Sequence, residues 1–116
     1  MCSGKIYYDL IEAREKLKNN EVVFIRLEQL YPFPAKTLAN ILKRYLKAKF
    51  IWCQEEPKNM GAWFSVRDYI QWTLDNIKAN NNLISYIGRK PDASPATGYA
   101  KRHISQQQEI INKVFE

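Results

Sequence analysis

Phe50-Ile51-Trp52-Cys53-Gln54-Glu55-Glu56-Pro57-Lys58-Asn59-Met60-Gly61-Ala62-Trp63 carries the chain from an apolar strand into a helix. Phe50 to Cys53 reads as a buried strand, Gln54 to Trp63 turns it into a helix, and Gly61 leads into that helix, in which Trp63, Val66, Ile70, Leu74 and Ile77 recur at helical spacing. A strand followed directly by a polar turn and an amphipathic helix is the unit of an open α/β sheet. Such sheets take their ligands at the carboxyl ends of the strands.

Working outward, the same alternation recurs. Met1-Cys2-Ser3-Gly4-Lys5 reads as the last residues of a strand and a tight turn, followed by a helix with Ile6, Leu10, Ala13 and Leu17 at helical spacing and Asn19-Asn20 at its end. Glu21 to Leu27 is a continuous apolar and β-branched run, expected to be a strand covered on both faces and hence part of a parallel sheet. Tyr31-Pro32-Phe33-Pro34 interrupts pairing and leads into a helix with Leu38, Ile41, Leu42 and Tyr45 inward. After the Asn80-Asn81-Asn82 turn, Leu83 to Ile87 is expected to be the last strand and Gly88-Arg89-Lys90 its exit. An irregular loop then runs from Pro91 to Tyr99, and a final helix carries Ile104, Ile111 and Val114. The expectation is one α/β domain over residues 1–116, a three-layer Rossmann-like arrangement with a mainly parallel sheet. Its first strand is truncated, since little of it precedes Ser3. An exposed sheet edge of that kind favours self-association or disorder.

Composition narrows the function classes. With 116 residues, 46% hydrophobic and 26% charged, the chain has the make-up of an ordinary soluble globular domain, and no apolar run is long enough to cross a bilayer. It reads as intracellular. Cys2 and Cys53 form no CxxC pair and join no metal-ligand cluster, which leaves reduced structural thiols. The formal charge of +6 is scattered among acidic residues rather than gathered into a stripe, an argument against specific nucleic-acid binding.

The candidate chemistry is sparse. Glu55 and Glu56 are strand neighbours that point to opposite faces, so they suit loop or interface roles better than paired acid/base catalysis, and Gln54 has the same structural reading. His103 lacks a triad frame and sits beside Lys101-Arg102. Ser3-Gly4-Lys5 lacks the spaced glycines of a phosphate loop, but free amides at a helix start with Ser3 and Lys5 would make an anion site. Arg26 ends the adjoining strand and Lys36 opens the next helix, so both can reach that edge. The alternative is that Arg26 pairs with Glu28 or another carboxylate.

Four blocks carry a resemblance: Cys2-Ser3-Gly4-Lys5 with Tyr7-Tyr8-Asp9-Leu10; Arg26-Leu27-Glu28-Gln29-Leu30-Tyr31-Pro32-Phe33-Pro34; Trp52-Cys53-Gln54-Glu55-Glu56-Pro57-Lys58-Asn59; and Ala93-Ser94-Pro95-Ala96-Thr97-Gly98-Tyr99. Together, in order and across essentially the whole chain, they resemble the carboxyl-terminal domain of 2-oxoglutarate dehydrogenase, the thiamine-dependent decarboxylating component. The branched-chain and pyruvate relatives are the runner-up, and the Trp52 to Asn59 block favours the 2-oxoglutarate branch.

The resemblance implies a transketolase-like carboxyl-terminal domain that supports a homodimer, with thiamine diphosphate and magnesium held by the other domains and none bound by this piece. It implies further partners: the rest of the same enzyme, and the lipoyl-bearing succinyltransferase core that receives the succinyl group. The cytoplasm of a bacterium or the mitochondrial matrix of a eukaryote would be its compartment. It also implies a regulatory acetyl-CoA or AMP site at Ser3 and Arg26, with Lys5 and Lys36 nearby. The helix start Pro34-Ala35-Lys36-Thr37 is less basic than in effector-binding relatives, and Met60 stands where they commonly have glutamine. The competing reading is a free-standing anion- or nucleotide-binding regulatory module.

Overall fold

The computed structural model describes residues 1–96 and 98–116. Thr97, part of the last of the four blocks, lies outside the described residues. Four α-helices, α1 (Ile6–Leu17), α2 (Ala35–Leu42), α3 (Trp63–Asn76) and α4 (Ala100–Val114), accompany two strands, β1 (Ile51–Pro57) and β2 (Ser85–Arg89). β1 and β2 pair in parallel, with Ile51 opposite Ser85, Trp52 opposite Tyr86 and Cys53 opposite Ile87.

Two single parallel bridges extend this pair. Cys2 lies between Cys53 on one side and Arg26 on the other. Across the sheet the chain therefore runs, side by side and all parallel, through residues 26, 2, 53 and 87. The N-terminal residues thus form the end of an interior strand, as their position before Ser3-Gly4 predicted.

Side chains alternate between the two faces of a strand, and the core divides accordingly. Trp52, fully buried, packs on one face with Leu38 and Leu42 of α2 and with Trp63, Val66, Ile70 and Leu74 of α3. Its neighbour Cys53 packs on the other face with Cys2, Ile6 and Leu10 of α1, and Ile110 and Ile111 of α4. Helices on both faces of a parallel sheet are the three-layer α/β architecture. Each fully buried Leu, Ile or Val contributes about 1.5–3 kcal/mol, so the two clusters hold the layers together.

Several expected elements differ in detail. The run from Glu21 to Leu27 is not a regular strand: apart from the Arg26–Cys2 bridge it has no ladder partner among the described residues, and Val23 is half exposed rather than covered. A β-branched sequence prefers the extended form, but a strand is completed only by a neighbour's hydrogen bonds. The last strand lies two residues later than expected, at Ser85–Arg89, with Leu83 exposed. Its Gly88 belongs inside the strand because a Cβ there would meet the Tyr86 hydroxyl and, at 2.9 Å, the Gln54 carbonyl oxygen. Ile104 and Leu17 face outward, and Ile110 takes the buried place on α4. α2 is shorter than its apolar stripe and passes into a 3-10 turn, Lys43–Tyr45.

α1 stops where the asparagines suggest. Lys18 adopts the left-handed conformation (φ 50°), and the Asn19 Oδ1 accepts from the amides of Glu21 and Val22 at 2.9 and 3.1 Å. These bonds turn the chain back toward the sheet.

Candidate functional site: a carboxylate cradle and a glutamine-centred turn

Because the strands are parallel, Ser3, residues 26–28 and the turn after β1 all emerge at one edge of the sheet. Between Cys2 and Cys53 the connections change face, since α1 packs on one side and α2 on the other. This is the position at which open α/β sheets bind ligands.

At that edge Gly4, in the left-handed region at φ 77°, turns the chain into α1. Its amide donates to Glu28 Oε1 at 2.8 Å. Arg26 Nε donates to the same oxygen at 2.6 Å, and the Ser3 hydroxyl donates to Glu28 Oε2 at 3.3 Å. Arg26 Nη1 donates to the Tyr8 hydroxyl at 2.9 Å, and its guanidinium lies over the Tyr7 and Tyr8 rings at 5.5 and 5.1 Å. Three donors around one carboxylate at a helix start make an anion cradle. The Gly4 amide, and after it the Arg26 guanidinium, hold the Glu28 carboxyl below its ordinary value; Glu28 and then Tyr8 push Arg26 higher still. Burial pushes the neighbouring Cys2 thiol up as well.

The four sequence-derived site residues are therefore divided. Ser3 and Arg26 meet on Glu28. Lys5 turns instead toward Asp9, 3.6 Å away and one helical turn on, and Asp9 also accepts from Gln107 Nε2 at 3.0 Å. Lys36 is exposed on the first turn of α2 and takes no part in the hydrogen bonds around Glu28. The pairing of Arg26 with Glu28 was the alternative reading of the sequence, and it is the arrangement found.

The turn after β1 is organised by Gln54, which is buried (2% exposed). Its Oε1 accepts from Trp52 Nε1 and from the backbone amide of Trp63, both at 3.0 Å. Its Nε2 donates toward the carbonyls of Met60 (2.8 Å), Pro57 (3.0 Å) and Glu56 (3.3 Å). One side chain thus caps the start of α3 and closes the turn. Gly61 completes it at φ 65°, where an added Cβ would lie 3.1–3.2 Å from Glu56 Oε2 and the Gln54 amide.

Sequence reading missed two further ties. Asn59 Nδ2 donates to the Asp92 carbonyl and Asn59 Oδ1 accepts from the Asp92 amide, both at 2.9 Å. Arg89 donates to the carbonyls of Glu55 (2.9 Å) and Pro95 (2.6 Å) and to Gln106 Oε1 (3.3 Å), joining β1, the following loop and α4. Glu55 and Glu56 are both partly buried on β1, and His103 is exposed on α4 with its amide bonded to the Tyr99 carbonyl at 3.0 Å.

Among the described residues no three His, Cys, Asp or Glu side chains come together. Among them, too, no helix is long and apolar enough to cross a membrane. The family model described as 2-oxoglutarate dehydrogenase C-terminal matches residues 1–115. The chain belongs to the 2-oxoglutarate dehydrogenase C-terminal family. Among its relatives are the 2-oxoglutarate dehydrogenase E1 components of Brucella anthropi, Brucella ovis and Brucella canis. Each is 53% identical over 106 residues, a stretch that makes up 91% of this chain and 11% of the relative. The chain thus spans about a ninth of the length of these curated relatives.

Proposed function

We propose that this chain serves as the carboxyl-terminal structural, dimer-contact and regulatory domain of a 2-oxoglutarate dehydrogenase E1 component and is catalytically silent by itself. The observation that carries this reading is the family match over residues 1–115 against relatives of which the chain spans only 11%. The remaining polypeptide would hold thiamine diphosphate and magnesium, decarboxylate 2-oxoglutarate within the tricarboxylic acid cycle, and pass the succinyl group to the lipoyl arm of the succinyltransferase core. A homodimer partner and a cytoplasmic or mitochondrial-matrix compartment belong to the same reading.

The test is reconstitution. The isolated chain is expected to show no decarboxylation of 2-oxoglutarate, and activity is expected when it is combined with the remaining nine-tenths of the E1 polypeptide. Turnover by the isolated chain would overturn the proposal.

A second reading, regulatory anion binding, is favoured by the cradle, in which Ser3, Gly4 and Arg26 already hold a carboxylate. Glu28 competes for the same donors, so Glu28→Gln is expected to tighten acetyl-CoA or AMP binding about tenfold by removing the internal anion. Arg26→Ala is expected to abolish that binding. Calorimetry decides, and heats that ignore both substitutions would remove this reading.

A further inference from the structure

Among the described residues two buried side-chain atoms are left without a hydrogen-bond partner, Trp63 Nε1 and Glu55 Oε2, and both belong to the stretch that leads from β1 into α3. Buried polar groups of folded proteins are nearly all paired, so each exception calls for a physical account. Trp63 has one within the chain. Its ring rests at 49° against Tyr86, with 5.2 Å between centroids, and an aromatic face is a weak acceptor for an N–H. Glu55 has none: an ionised carboxylate only accepts, and an oxygen of it kept from water without a donor is far costlier than an indole N–H.

Glu55 joins none of the ion pairs among the described residues. Its backbone carbonyl accepts from Arg89 Nε at 2.9 Å, and its charge bears on the thiol of Cys53, which packs with α1 and α4. Arg89 is the cation at hand, yet it is engaged elsewhere: Nε with the Glu55 carbonyl, Nη1 with Gln106 Oε1 and Nη2 with the Pro95 carbonyl, all neutral oxygens. Those bonds tie β1, α4 and the intervening loop together, so turning Arg89 to the carboxylate would undo them. The contrast with Glu28 is direct. That carboxylate, half exposed, is met by three donors of this chain.

We propose that Glu55 is the seat of an arginine side chain supplied by the rest of the E1 polypeptide, which makes the turn after β1 an ion-pair contact between parts of that enzyme. Glu55 as a whole is only partly buried, so a side-chain rotation presents its oxygen to an incoming group. A guanidinium suits the place because it keeps its charge when desolvated and its planar fork matches a carboxylate. A metal ion does not, since among the described residues no three His, Cys, Asp or Glu side chains come together. The supplier follows from length, because this chain spans only 11% of its relatives. That assignment alone rests on the function proposed above; the seat rests on the carboxylate and on the engagement of Arg89.

The experiment uses Glu55→Gln, which keeps the size and removes the charge. Two quantities are measured: the melting temperature of the chain alone, and the Kd of its association with the remainder of the E1 polypeptide. The melting temperature is expected within about 2 °C of the parent or above it, because no partner within the chain is lost. Association is expected to weaken about tenfold or more, and Glu55→Asp, which keeps the charge, to recover part of the loss. A melting temperature lower by more than about 4 °C places the partner of Glu55 inside this chain and overturns the seat. Unchanged association of Glu55→Gln, the result expected if water satisfies the oxygen, overturns it too. No association of the parent chain overturns the supplier. So does self-association in sedimentation that Glu55→Gln abolishes while binding to the E1 remainder is unaffected, which assigns the arginine to a second copy. Turnover by the isolated chain would overturn the function proposed above and leave this test, which reads no activity, standing.

Discussion

Replacing Gln54 should destabilise the fold far more than a glutamine on a strand usually does. Three of its hydrogen bonds, to Trp52 Nε1, the Trp63 amide and the Pro57 carbonyl, are buried, and two more, to the carbonyls of Glu56 and Met60, are half buried. Gln54→Met keeps the volume and removes every polar partner. Each buried group left unsatisfied costs about 1 kcal/mol or more, and the half-buried carbonyls recover part of theirs from water, for a loss of about 4 kcal/mol. For 116 residues the unfolding entropy is roughly 0.24 kcal/mol/K, so the melting temperature should fall by about 16 °C. Gln54→Glu separates the two halves of the site. The carboxylate can still accept from Trp52 and Trp63, but it faces three carbonyl oxygens without a proton to offer. At neutral pH it should therefore be worse than methionine, and it should recover partly in acid, where a protonated carboxyl can donate once. Thermal unfolding followed by circular dichroism, with urea titration for the free energy, measures both. A Gln54→Met protein melting within about 4 °C of the parent, or a glutamate variant more stable than methionine at pH 7, would refute the view that this side chain closes the turn.

The turn glycine gives a narrower prediction: Gly61→Ala places a Cβ at φ 65° and 3.1–3.2 Å from Glu56 and Gln54. It should cost about 1–2 kcal/mol, part of it returned by Gly61→Asn, as chemical denaturation would show. Asn59→Ala removes both bonds to Asp92; these are exposed, so global stability should drop by no more than about 1 kcal/mol, while limited proteolysis within residues 91–96 should speed up several-fold. Alkaline stability should reflect two groups that burial pushes up to about 12: the Cys53 thiol from 9 and the Tyr86 hydroxyl from 10. The folded state keeps both protons after the unfolded chain has lost them, so their contribution is intact below pH 9 and falls as pH rises toward 12. Denaturation midpoints between pH 8 and 11 check the sign, and Cys53→Ala should flatten the decline.

Much of the fold is legible in one-dimensional patterns because they reflect burial. Trp63, Val66, Ile70 and Leu74 recur at helical spacing and all four are buried, and the apolar run from Phe50 to Cys53 ends up between two helical layers. What escaped depends on partners distant in sequence. Residues 21–27 carry strand composition, yet a ladder is a property of two segments, and only Arg26 finds its neighbour in Cys2. Asn59 and Asp92 are 33 residues apart, and Arg89 binds groups on both sides of it in sequence; no local spacing marks such pairs. The site was half visible for the same reason. Ser3-Gly4-Lys5 reads as a helix start with donors to spare, but whether Arg26 serves an outside anion or Glu28 is decided by two side chains two residues apart on an extended segment. There the reach of the guanidinium back over Tyr8 settles the geometry.

That geometry also links the two ends of the interior strand. Ser3 is positioned for Glu28 because Cys2, the residue before it, is pinned on both sides: its amide to Ile25, its carbonyl to Leu27, and its bridge to Cys53. The same Ile25–Leu27 contact fixes Arg26 between its two anchored neighbours. The spacing of the cradle's donors is thus set by hydrogen bonds to one residue. A lone parallel bridge frays at little cost, so loosening of the Cys2–Arg26 bridge should loosen the cradle with it, where Gly4 and Glu28 are 24 residues apart in sequence but on neighbouring segments of the sheet.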